Sequence, residues 1–151
     1  MNIQNDFEEF LQLLNAQSVE CIIVGGYAVA FHGYARATDD LDLFFRNTPE
    51  NIKNIRQALQ HFGLSTTEQQ AAEFADSGNI IRMGIAPLRI ELMNSISGLA
   101  FEDAWEHRIS GTYGETPVAY ISLPDLLQNK RASARPKDLA DVDELGGNRD
   151  S

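Results

Sequence analysis

Apolar and polar positions alternate along the chain in a way that divides it into short helices and strands. Phe7, Phe10, Leu11 and Leu14 recur at three- and four-residue spacing, one apolar helical face, with Asp6 placed to cap it. Glu20 to Val24 is a β-branched apolar run, a strand, and it stops at Gly25-Gly26 before a short helix around Tyr27 to His32 closed by Gly33. His32 reads as a structural histidine at the end of that helix. Asp40 to Phe45 alternates acidic and apolar residues and predicts a second strand. Thr48-Pro49-Glu50 opens a helix whose stripe is Ile52, Ile55, Leu59 and Phe62, with Gly63 as its stop. The polar stretch Ser65 to Gly78 suits either a short helix or a loop. Asn79 to Ile85 and Leu88 to Met93 predict a hairpin around Ala86-Pro87. A helix from Phe101 to Arg108, packing Phe101 and Trp105 into the core, precedes a strand from Val118 to Ile121 introduced by Pro117. Ser122 with Asp125 resembles a capping box for a helix to about Ser133, and Pro136 opens a last helix ending at Gly146-Gly147.

Composition narrows the class. The 151 residues suit a single domain over positions 1–147, with a disordered tail at 148–151. Hydrophobic residues at 43% and charged residues at 23% are ordinary for a soluble globular chain. No apolar run approaches the roughly 20 residues of a membrane span, and the N-terminus has neither a basic start nor an apolar signal core, so a cytoplasmic protein is expected. A net charge of -10 argues against broad binding to DNA or RNA, which depends on Lys and Arg displacing counterions. The one dense basic patch is Lys130-Arg131 with Arg135 and Lys137. The single cysteine, Cys21, lies in an apolar strand and reads as a small core residue.

The candidate chemistry is concentrated between Val24 and Leu43, VGGYAVAFHGYARATDDLDL. Gly25-Gly26 lets the backbone turn tightly with no Cβ between it and a ligand, although plain turn geometry would use the same pair. In a strand, the period of two puts Asp40 and Asp42 on one face and Leu41 and Leu43 on the other. Two like charges on one face are costly unless a cation lies between them, and hard oxygen ligands are what Mg²⁺ takes when it also binds phosphates. A solvated strand edge is the plainer reading of either acid alone. Glu91, in the strand Arg89-Ile90-Glu91-Leu92-Met93, offers a third carboxylate from a neighbouring strand.

This ordered set resembles the nucleotidyltransferase superfamily of DNA polymerase β and the kanamycin and lincosamide enzymes, and is similar above all to its small stand-alone bacterial members near the minimal and AbiEii-type nucleotidyltransferases. The matching stretches are VGGYAVAFHGYARATDDLDL, PLRIELMNSISG, AFEDAWEHR and SLPDLLQNKRASARPKDLADVDEL. The resemblance implies an α+β fold, with a mixed, largely antiparallel sheet flanked by helices. It implies that Gly25 and Gly26 line a triphosphate, that Asp40 and Asp42 hold two Mg²⁺ ions (or Mn²⁺ in their place), and that Glu91 is the third metal ligand. The commoner pattern has Asp at that third position, one methylene shorter. Arg36, Thr38 and Lys130 are implied contacts to the nucleotide; as plain residues, Arg36 would pair with a surface acid and Lys130 would lie on a solvated helix face. Asp138 and Asp141 also match, and acids in a first helical turn have a structural use there.

The reaction so implied is in-line transfer of a nucleoside monophosphate from a triphosphate to a hydroxyl, helped by two metal ions and needing no covalent nucleophile. The acceptor is left open among a small molecule, tRNA and a protein. The likeness to AbiEii-type proteins adds a role in a toxin-antitoxin pair, with an antitoxin or partner subunit; no membrane partner is expected. The alternative is a nucleotide- or metal-binding regulator without turnover.

Overall fold

A computed structural model of the protein describes residues 3–34, 40–84 and 89–146. Its order is α1 (Ile3–Ala16), β1 (Cys21–Val24), α2 (Gly25–Phe31), β2 (Asp40–Phe45), α3 (Pro49–Phe62), α4 (Glu68–Ala75), β3 (Ile80–Met83), β4 (Arg89–Met93), α5 (Phe101–Glu106), β5 (Ile109–Tyr113), β6 (Thr116–Tyr120), α6 (Leu123–Ser133) and α7 (Pro136–Glu144). The strands form a six-stranded mixed sheet in the order β3-β4-β2-β1-β6-β5. Hairpin neighbours β3/β4 and β5/β6, and the pair β1/β2, run antiparallel, whereas β2/β4 and β1/β6 run parallel. The expected mixed α+β sheet with flanking helices is what the chain forms.

The period of two in the strands separates two cores. Ile23, Leu41, Leu43, Phe45, Ile81, Met83, Ile90 and Leu92 face α1, α3 and α4, where Phe7, Phe10, Leu14, Ile55, Leu59 and Phe74 complete the larger core. Ile22, Val24 and Phe44 face the other way, against Ala28 and Val29 of α2, Ala104 of α5 and Leu126 of α6. Asp40, Asp42 and Glu91 share this second face by alternation, where the smaller core leaves room for a cleft.

Local signals set most boundaries. Thr48 caps α3 by accepting the Asn51 amide, and Gly63 ends the helix at φ 96°, the left-handed conformation glycine tolerates. The polar stretch after it is helical because Thr67 and Gln70 form a reciprocal capping box. Ser122 caps α6 through the Asp125 amide. The ring Nε2 of His32 is 2.7 Å from the Ile121 carbonyl, a structural tie between α2 and the end of β6.

Four expectations need correction. Asp6 does not cap α1, because the helix begins at Ile3 and leaves Asp6 inside its first turn. The helix α2 begins at Gly25, so the glycine pair forms its first turn instead of preceding it. Helix α5 stops at Glu106, and Ile109–Tyr113 is a strand that hydrophobic alternation does not announce, being exposed on both faces over most of its length. Strand β6 starts at Thr116 and contains Pro117, which pairs with Thr112 in register. The Ala86-Pro87 turn, Arg36, Thr38 and the tail from 147 lie outside the described residues, although β3 and β4 pair antiparallel as a hairpin requires.

Candidate active site

The registers of the sheet bring the chemistry together. Asp42 is the direct partner of Glu91 across the parallel β2/β4 pair, Glu91 is the partner of Arg82 across β3/β4, and Asp42 is the partner of Val24 at the end of β1. A row of Arg82, Glu91, Asp42 and Val24 thus crosses four strands on one face. It lies in a cleft of about 810 Å³ whose lining also includes Gly25, Ser97, Asn129, Lys130, Ser133, Arg135 and Asp138. Helix α6 forms one wall because its side chains reach the loop after β4: Asn129 Nδ2 donates to the Ser97 carbonyl at 3.0 Å and Gln128 Nε2 to that of Gly98 at 2.7 Å.

Asp40 stands two residues before Asp42 on the same face and, among the described residues, outside the cleft lining itself. It still acts on its neighbour. Burial first, then the charge and hydrogen bond of Glu91, and then the charge of Asp40 push the Asp42 carboxyl up to about 7, against a smaller opposing pull from Lys137. Three acids within mutual electrostatic reach are what a cation site needs and what an apolar core avoids.

The donor set fits a hard divalent cation. Asp40 Oδ1 and Asp42 Oδ1 are both buried with no hydrogen-bond partner among the described residues, and hard carboxylate oxygens of this kind suit such a cation. Among the described residues no group of three His, Cys, Asp or Glu side chains is arranged to hold a cation. Glu91 Oε1 accepts a hydrogen bond from Arg82 Nε at 3.0 Å.

Gly25 has a role more exact than a turn. Its φ is +69°, and a Cβ built there would fall 2.1 Å from Asp42 Oδ2, so the Asp42 carboxylate packs directly onto the glycine backbone. Gly25→Ala is therefore expected to cost roughly 1–3 kcal/mol of stability and to displace Asp42. Thermal unfolding together with Mn²⁺ titration checks both parts, and a variant of unchanged stability and Mn²⁺ affinity would contradict this packing.

Lys130 is neither a solvated helix residue nor a free cation. It is buried, with Nζ 2.9 Å from Asp141 Oδ2 and 3.5 Å from Asp138 Oδ1. Asp138 also accepts from Ser133 Oγ at 2.7 Å and from Arg135 Nε at 2.7 Å. Burial alone would raise the Asp138 carboxyl, but the hydrogen bonds from Arg135 and Ser133 and the charge of Lys130 outweigh it and hold the group below the usual carboxylate range. The two acids of α7 are therefore buried partners of α6, and only Asp138 lies in the first turn where both were expected. Cys21 takes no part: burial pushes its thiol up to about 12, which leaves it inert as a nucleophile.

Sequence reasoning did not single out Arg82 or Arg135 as cleft residues. The alternation Ile81-Arg82-Met83 in an edge strand was the available signal for the first, since two buried neighbours force the arginine onto the opposite face.

Solved structures share this fold at low identity. The antibiotic-resistance factor ANT(2'')-Ia, known from a solution structure, superposes with a TM-score of 0.61 at 12% identity over 95% of this chain and 82% of its own. A candidate nucleotidyltransferase of Thermotoga maritima gives 0.58 at 16% identity over 95% and 88%. An antigenic nucleotidyltransferase-like protein of Paracoccidioides brasiliensis gives 0.56 at 15% over 95% and 73%. No curated protein matches the chain. Residues 1–146 match the family described as nucleotidyltransferase of unknown function (DUF6036), and the chain belongs to that nucleotidyltransferase family.

Proposed function

We propose that the protein transfers a nucleoside monophosphate from a nucleoside triphosphate to a hydroxyl acceptor in a reaction that depends on a divalent cation. One observation carries this reading: Asp42 and Glu91 face each other in parallel register on the floor of an open cleft, and Asp40 and Asp42 keep buried oxygens with no hydrogen-bond partner among the described residues. Asp40, Asp42 and Glu91 would hold Mg²⁺ or Mn²⁺, which when bound supplies charge neutralisation of the phosphates and a lowered pKa for the attacking hydroxyl. Gly25, with no side chain, makes room for the Asp42 carboxylate on the cleft floor, and Asn129 and Ser133 offer polar contacts to substrate on the α6 wall. Arg36, Thr38 and Lys130 remain proposed nucleotide contacts; for Lys130 the ion pairs with Asp138 and Asp141 support a role in holding the wall.

A net charge of -10 favours a small cationic acceptor over a polynucleotide, because the chain repels a phosphate backbone. The fold shared with an antibiotic-resistance factor is in keeping with a small-molecule acceptor. A toxin's action on tRNA would need a partner subunit to bring basic surface to the cleft, whereas an antitoxin would block it.

The test is to incubate the protein with each labelled triphosphate, Mg²⁺ and a panel of aminoglycoside-like and other cationic hydroxyl acceptors, and to measure pyrophosphate release. Release that Asp42→Ala abolishes is the expected result. Nucleotide and Mn²⁺ binding without release under any condition would favour the regulator instead, a reading to which the Arg82 contact on Glu91 lends support.

A further inference from the structure

Among the described cations that line the cleft, one is free to change partners. Lys130 is fixed by two buried acids, and moving it would take the ammonium away from both. Arg135 directs Nε and Nη2 to the two oxygens of Asp138, at 2.7 and 3.3 Å, and is tied down. Arg82 spends only Nε, on Glu91 Oε1 at 3.0 Å, and its two terminal nitrogens have no partner among the described residues. Its side chain is 69% exposed on the edge strand β3, so reorienting it disturbs little packing, whereas Glu91 is only 20% exposed and leans on Asp42.

We infer that Arg82 is an exchangeable counter-ion that couples the two halves of the substrate site: it neutralises Glu91 in the free protein and turns to the phosphates of the bound triphosphate, releasing Glu91 to the cation. The inference rests on the nucleotidyltransferase reading of the cleft. The lateral register Arg82, Glu91, Asp42 gives the exchange its path, because the guanidinium and the cation claim the same carboxylate from opposite sides. A planar fork with unspent donors suits phosphate oxygens, while the Glu91 side chain is long enough to reach either partner. Anion and cation therefore assist each other: whatever takes Arg82 away from Glu91 strengthens cation binding, and whatever takes Glu91 away from Arg82 strengthens anion binding.

Reciprocal titrations test this without a chelating mixture. Inorganic tripolyphosphate is titrated calorimetrically with metal removed, and Mn²⁺ is titrated separately with no phosphate present, into wild type, Arg82→Gln, Arg82→Lys, Glu91→Gln and the double variant. Glu91→Gln is expected to tighten tripolyphosphate about two- to five-fold, the equivalent of an exposed ion pair given up, and Arg82→Gln to weaken it about ten-fold. Arg82→Gln is expected to tighten Mn²⁺ about two- to five-fold, while Arg82→Lys, which keeps the charge but not the fork, stays near wild type for Mn²⁺ and loses phosphate affinity. In the double variant the gain from Glu91→Gln disappears. If wild type binds both probes but neither variant tightens the opposite one, the coupling is wrong and the nucleotidyltransferase reading stands. If wild type binds neither probe, both fall together.

Discussion

Asp42→Asn will abolish nucleotidyl transfer and will also make the metal-free protein more stable above neutral pH. The two effects have one cause. In the folded protein the Asp42 carboxyl is raised to about 7 by burial and by Glu91 and Asp40, whereas in the unfolded chain it titrates near 3.8. Between these values the folded state binds the extra proton, so stability falls as pH rises from about 4 to about 7 and is constant above. At about 1.36 kcal/mol per unit the penalty is at most about 4 kcal/mol, and the part of the side chain that reaches solvent reduces it. Asparagine carries no charge and can donate to Glu91, so the variant should gain stability near pH 8 and almost none near pH 4. Unfolding in chelator at the two pH values measures this, and pyrophosphate release, expected to drop at least about a thousand-fold, measures the other effect. Equal stability of variant and wild type at both pH values would contradict the strained acid pair. Adding Mn²⁺ should stabilise wild type more at high pH than at low, since a bound cation removes the repulsion that the proton otherwise relieves.

The second large effect is structural. Lys130→Met would leave Asp138 and Asp141 buried without their ammonium, a type of loss that costs about 3–5 kcal/mol, or roughly 6–20 °C in melting temperature for a chain of this size. Helices α6 and α7 form one wall of the cleft through this cluster, so their packing should loosen before the sheet does. Amide hydrogen exchange would show the loss of protection starting in 123–144. Replacing Lys130 and Asp141 together, by Met and Leu, should recover part of the stability because a buried carboxylate is removed along with the ammonium that faces it. An exposed, substrate-only lysine would instead leave the melting temperature unchanged and alter nucleotide affinity alone. Asp138 adds a pH signature of opposite sign to that of Asp42. Its carboxyl is held below the usual range, so its contribution is present above about pH 4 and is lost as pH falls through the lowered value.

What the sequence by itself determined was local and periodic. The caps at Thr48 and Ser122, the stop at Gly63, the apolar stripes and the alternation that puts Asp40 and Asp42 on one face all follow from interactions within a few residues, where spacing dictates geometry. Strand β5 escaped because it is mostly exposed and is held by its hairpin partner β6, which leaves no burial pattern to read. Tertiary structure decided everything that depends on register between distant segments. It paired Asp42 with Glu91 and Glu91 with Arg82, set the Asp42 carboxylate against the bare backbone of Gly25, and buried Lys130 between two acids of the following helix. Charge gives no hint of such burial along a chain, because the cost of desolvating an ion appears only when folding chooses its neighbours.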